Sequence, residues 1–101
     1  MLKSKLYDKT LYLSLTGDLD EHNAFYVRQE IDNILTVQKY NQVIVDLANL
    51  DFMDSTGIGV LIGRYKLIKD TGIPIFISNP NKQVDKIFQM TGIYDIMPKI
   101  N

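Results

Sequence analysis

Two patterns of different period meet at residues 51–56, and their junction restricts the chain to a strand–turn–helix unit. Val43-Ile44-Val45-Asp46-Leu47 is an almost unbroken apolar, β-branched run, which suits a central strand buried on both faces. Beyond it, Ile58, Leu61, Ile62, Tyr65 and Ile68 recur at i, i+3, i+4, i+7 and i+10, the core stripe of an amphipathic helix. The turn between them carries the hydroxyls of Ser55 and Thr56 beside the carboxylate of Asp54. Asp and Ser favour helix N-caps because their oxygens accept bonds from the free N–H groups of the first turn. The same geometry holds a serine hydroxyl out at the sheet edge, next to a helix N-terminus that tolerates negative charge. The helix is expected to end near Thr71-Gly72, with Gly72 in the left-handed cap position.

The remaining segments add layers around this unit. Leu2 to Tyr7 and Leu11 to Thr16 read as two strands, with Leu11, Leu13 and Leu15 alternating with polar neighbours. The short polar connection Asp8-Lys9-Thr10 makes them a hairpin, and Lys3 and Lys5 guard its edge. A helix from about Glu21 to Gln38 follows, capped by Asp20, with Ala24, Val27, Ile31, Ile34 and Leu35 as its apolar stripe. Ile73 to Ile77 is a short strand, and its proline places it at a beginning or an edge. Asn79-Pro80 reads as a helix start, with Val84, Ile87, Phe88 and Thr91 on one face and Gly92 closing it. Asp95 to Lys99 adds a last short strand. The order β β α β α β α β predicts one α/β domain over residues 1–101. Its mixed, mainly parallel sheet has about five strands, the first two antiparallel, packed with three or more helices.

Composition narrows the functional classes. Lys plus Arg total 11 against 12 acids, a formal charge of −1, which argues against nucleic acid as the partner because phosphate binding needs clustered surplus cations. There are no cysteines, so disulfides and thiolate metal sites are excluded. No apolar run approaches the length of a membrane helix or a signal-peptide core, so a cytoplasmic protein without membrane attachment is expected. The one histidine, His22, has no second ligand at helical spacing and reads as a solvated or capping side chain; no metal or cofactor is expected.

Three features of the central unit invite functional readings. Gly57, Gly59 and Gly63 lack both the Gly-Lys-Ser/Thr of a phosphate-binding loop and the third glycine of the dinucleotide spacing. Gly59 and Gly63 instead suggest close approach of the helix backbone to a neighbour, either the sheet or another protein. Val60 and Leu67 form a second apolar line flanking Arg64, which is either covered by a neighbouring helix or presented to a partner. Ser55 as a catalytic nucleophile would need a general base in reach; Asp54 is a poor sole activator, and the only histidine sits on another element.

Phe52-Met53-Asp54-Ser55-Thr56-Gly57-Ile58-Gly59-Val60-Leu61-Ile62-Gly63-Arg64-Tyr65-Lys66 closely resembles the signature of the bacterial anti-sigma factor antagonists of the STAS family, sporulation type. Leu15-Thr16-Gly17-Asp18-Leu19-Asp20 is similar to the family's early strand and loop, and Phe88-Gln89-Met90-Thr91-Gly92-Ile93 to its late helix end, so the likeness spans roughly residues 10 to 97. Family members commonly continue into a further helix, whereas this chain stops at Asn101, which leaves its C-terminus as the one departure. The resemblance implies a non-enzymatic protein that binds an anti-sigma factor, itself a serine kinase with its own ATP or ADP. It implies Ser55 as the phosphoacceptor and a PP2C-type serine phosphatase that resets the switch. Asp54, Ser55, Thr56, Gly57, Gly59, Val60, Arg64 and Leu67 would form the contact surface, with Asp18 and Asp20 beside it. A STAS scaffold or a regulatory module of a stress-sensing or transport complex is the alternative within the fold, and a small hydrolase using Ser55 the alternative outside it.

Overall fold

In the computed structural model, which describes residues 1–101, the first two strands form a tight hairpin. β1 (Leu2–Tyr7) pairs antiparallel with β2 (Thr10–Leu19), with Lys5 opposite Tyr12 and Tyr7 opposite Thr10. Asp8 and Lys9 between them both take positive φ (50° and 63°), the two-residue turn whose twist matches that of the strands. β2 then leads through a turn into α1 (Ala24–Val37), and β3 (Gln42–Met53) returns parallel to β2 with Leu11 beside Val43 and Leu13 beside Val45. α2 (Ser55–Ile68) carries the chain through a 3-10 turn at Lys69–Thr71 and a left-handed Gly72 (φ 77°). β4 (Ile75–Ser78) pairs parallel with β3, and α3 (Lys82–Thr91) and α4 (Ile93–Ile96) follow.

The sheet order is β1-β2-β3-β4, so the parallel strands follow one another without reversing direction across the sheet. Right-handed crossovers then place α1 and α2 on the same face. Burial follows this rule. Leu11, Leu13, Leu15, Val43, Val45, Leu47, Ile75 and Ile77 are buried under the helices, while Tyr12 on the opposite face is exposed and Ile44 and Phe76 are half-buried. The expectation that the central strand is buried on both faces is therefore corrected: β3 alternates between a covered and an open side.

Several boundaries move for local reasons. α1 begins at Ala24 with Asn23 in the cap position, not after Asp20, because Asp20 is used in the preceding turn. β2 and β3 run on to Leu19 and Met53, past the expected ends at Thr16 and Leu47; two register shifts between them, each with its extra residue in β3, absorb the irregularity. Asn81 caps α3 by accepting from Val84 N at 2.9 Å, whereas Asn79 is left-handed (φ 57°) and Pro80 lies outside the helix. Asp95 and Ile96 belong to α4. The fifth strand is thereby reduced to the last residues, where Ile77 N donates to Pro98 O, Ile100 N to Ile77 O and Asn79 N to Asn101 O at 2.8–2.9 Å. The sheet proper has four strands.

Candidate functional site

β2 and β3 are parallel, so the loops that leave them open at the same end of the sheet, where α1 and α2 begin. Asp54 joins the two loops. Its Oδ1 accepts from Gly57 N at 2.9 Å and caps α2, while its Oδ2 accepts from Glu21 N at 3.2 Å in the β2–α1 loop. Asp54 N also donates to Leu19 O at 3.3 Å. Each carboxylate oxygen thus accepts one backbone N–H, which holds the two loops together through a single side chain. In the first loop, Asp20 Oδ1 accepts from His22 N at 2.9 Å, and the exposed His22 ring lies 3.6 Å from the same oxygen. Asn23 ties the loop back to the strand, accepting from Asp20 N at 3.0 Å and donating to Asp18 O at 2.6 Å.

On this platform Ser55 is the first residue of α2, and both Ser55 and Thr56 are exposed. Asp18 is exposed and sits in register with Phe52, an aromatic residue that is 43% exposed. Gly57 faces inward. A Cβ there would come within 2.4 Å of Leu19 O and 2.8 Å of Met53 Cγ, so glycine is required for α2 to sit against the end of β2. Gly57 therefore has a packing role within the domain.

Gly59 and Gly63 behave differently. A Cβ at either would meet nothing within 4 Å, although glycine in a helix interior costs ~1 kcal/mol relative to Ala. The sheet is therefore not the neighbour that these glycines accommodate. The line through Val60 and Leu67 is also split. Val60 is buried (7% exposed) between α2 and α1, and Leu67 is 52% exposed, about 18 Å along the helix from Ser55 at 1.5 Å per residue. Of the two alternatives left by the sequence, Val60 takes the covered one, while Leu67 stays open to solvent.

Arg64 points toward α1. Its Nε lies 2.9 Å from Asp32 Oδ1, and only 13% of the side chain is exposed. The pair is poorly aligned, and Nε and Nη1 make no hydrogen bond. Burial lowers the Arg64 pKa, Asp32 opposes that shift, and the nearby charge of Arg28 adds to it. Arg28, Phe25 and Glu21 come from the α1 side, and with Thr56, Gly59, Gly63 and Arg64 they line a groove of about 400 Å³ over Ala24 and Val60. The sequence reading missed the α1 side. Glu21 contributes a backbone N–H, which leaves no side-chain signal; Phe25 and Arg28 could have been found as an exposed pair at i, i+3 on the face beside Ala24.

A four-stranded mixed sheet with helices on one side and a serine-tipped helix start at its end defines a STAS domain. The STAS domain family matches residues 2–101, and the chain belongs to that family. Over 88 residues it is 38% identical to the anti-sigma F factor antagonist of Paenibacillus polymyxa, covering 87% of this chain and 75% of that protein. It is 26% identical over 99 residues to the anti-sigma-B factor antagonist of Staphylococcus aureus, covering 95% and 88%. The solved structure of the anti-sigma factor antagonist SpoIIAA in its unphosphorylated form superimposes with a TM-score of 0.84 at 25% identity, covering all of this chain and 89% of that one.

Proposed function

We propose that this chain is an anti-sigma factor antagonist that works by switching partners. Its unphosphorylated form binds an anti-sigma factor and so releases the sigma factor; the same anti-sigma factor, acting as a serine kinase on its own ATP, phosphorylates Ser55 and ends the complex. A PP2C-type phosphatase restores the binding form. The observation that carries this reading is the placement of Ser55: exposed at the first position of α2, on two loops that Asp54 holds as one body. Likeness to two anti-sigma factor antagonists over most of the chain supports it. Asp18, Asp20, Asp54, Ser55 and Thr56 share that end of the sheet and form the primary contact. Ser55 serves as an acceptor hydroxyl and not as a nucleophile of its own: the neighbouring Asp54 carboxylate is a poor sole activator of a hydroxyl, and the only histidine lies in the other loop.

The test mixes the purified chain with the host's anti-sigma factor kinase and ATP, then maps the phosphate and measures complex by size-exclusion chromatography. One phosphate on Ser55 with loss of complex is expected. Phosphate on Thr56 alone, or a complex that survives modification of Ser55, would overturn the reading.

A further inference from the structure

Arg28, lining the α1 side of the groove, carries charge that the chain itself does not neutralise. Arg28 has no ion-pair partner, whereas Arg64 pairs with Asp32 and Lys99 with Asp85. Arg64 reaches Asp32 off the line a hydrogen bond needs, and its Nη1 is buried without a partner. Arg28 and Arg64 are close enough to repel, as the lowered Arg64 pKa reflects after its larger cause, burial. Glu21 at the rim is the one acid lining the groove. A carboxylate entering the groove beside Arg28 would pair with its exposed guanidinium and relieve its repulsion with Arg64.

The groove is also kept open at a cost to the helix. Gly59 and Gly63 lie one turn apart on its α2 wall, and neither is required by any contact within the chain. Bare backbone at i and i+4 admits a close-packed ridge from outside. Phe25, 56% exposed on the opposite wall, offers apolar area to the same occupant. Thr56 lines the groove and adjoins Ser55, so whatever fills it is continuous with the contact at the helix start.

Resting on the antagonist reading above, we propose that the α1–α2 groove is a second contact for the anti-sigma factor kinase, seating an acidic ridge whose carboxylate pairs with Arg28 and whose backbone packs on Gly59 and Gly63. This arrangement explains how a phosphate can act as a release signal. Phosphoserine brings about −1.5 to −2 charges at neutral pH, and at Ser55 they would stand next to the acidic ridge that the groove holds.

The experiment measures binding of the host's purified anti-sigma factor kinase, loaded with ADP, to the wild-type chain and to Arg28→Glu and Gly63→Gln by calorimetry. Melting curves and amide spectra are recorded for each variant. Arg28→Glu is expected to bind at least ten-fold more weakly with its melting temperature unchanged. Gly63→Gln is expected to melt several degrees higher, since the helix gains a better former in open space, and yet to bind at least ten-fold more weakly. Wild-type affinity in both variants, with the wild-type chain binding and taking phosphate on Ser55, overturns the groove and leaves the antagonist reading standing. A lower melting temperature in Gly63→Gln also overturns it, because the glycine would then serve the fold. A wild-type chain that does not bind the kinase overturns both.

Discussion

Ser55 sits one position inside α2, so Ser55→Ala leaves the Asp54 cap intact and is expected to change stability by no more than ~0.5 kcal/mol. It should keep partner binding and lose modification, which intact mass after kinase treatment reads directly. Asp54→Ala is different, because it removes the acceptor of Gly57 N and of Glu21 N together. A cost of ~1–2 kcal/mol is expected from the cap alone, seen as a lower melting temperature, with line broadening of amides in the β2–α1 loop. Gly57→Ala forces a Cβ onto Leu19 O and should destabilise by ~1–3 kcal/mol, or about 4–8 °C per kcal/mol in a domain of this size. Three neighbours in one short signature thus answer to modification, loop joining and packing. Their spacing exposed the helix start but not this division, since glycine at 57 and glycine at 59 look alike until their neighbours are placed.

At the scale of elements, the strand and helix cores were legible because period and burial agree: Leu11, Leu13 and Leu15 alternate, and Ala24, Val27, Ile31 and Leu35 form the buried stripe of α1. The ends were less so, because two or three residues competed for each cap. Asp20, Glu21 and Asn23 all suit the start of α1, and the bonds of Asn23 to Asp18 O and Asp20 N, with those of Asp20 Oδ1 to His22 N and of Glu21 N to Asp54, decide which turn each enters. Asn79 and Asn81 compete in the same way before α3. The chain's last elements are fastened by one carboxylate that no spacing announced. Asp85 on α3 accepts from the Tyr94 hydroxyl of α4 and from Lys99 Nζ at 3.1 Å. The Tyr94 bond first, then Lys99, hold the Asp85 carboxyl below its ordinary range, while burial and Asp85 raise the Tyr94 hydroxyl. A carboxyl whose folded pKa is depressed stabilises fully above its unfolded value of about 4 and loses that contribution as pH falls through the folded value. Asp85→Asn should therefore melt below wild type by a constant margin between about pH 4.5 and pH 9, and the margin should narrow as the pH falls further. Melting curves over that range test it, and a margin independent of pH would remove the clamp.

For the whole molecule, a sheet covered on one side leaves the loop end of the parallel strands as its most organised surface, and the fold class followed from the β–α alternation alone. The open face did not, because a run such as Val43 to Leu47 is apolar at every position but one, whichever side is covered. The last prediction belongs to this scale: phosphate on Ser55 changes what the molecule binds and leaves its fold in place. Ser55 is exposed at the N-terminus of α2, where the dipole and free N–H groups favour an anion by ~0.3–1 kcal/mol. Asp54 beside it and Glu21 across the joined loop oppose that gain with like charge, screened by solvent in part, because Glu21 is exposed and Asp54 only half-buried. None of the buried core touches the added group, so the melting temperature should move by no more than a few degrees. A docked partner replaces that solvent, and a desolvated dianion without a cation in reach costs several kcal/mol. Affinity should therefore fall by orders of magnitude in the phosphorylated form while amide shifts stay confined to residues 18–22 and 53–60. Shifts spread across β2, β3 and β4, or an affinity equal to that of the unmodified chain, would show that the phosphate acts through the fold or does not act at all.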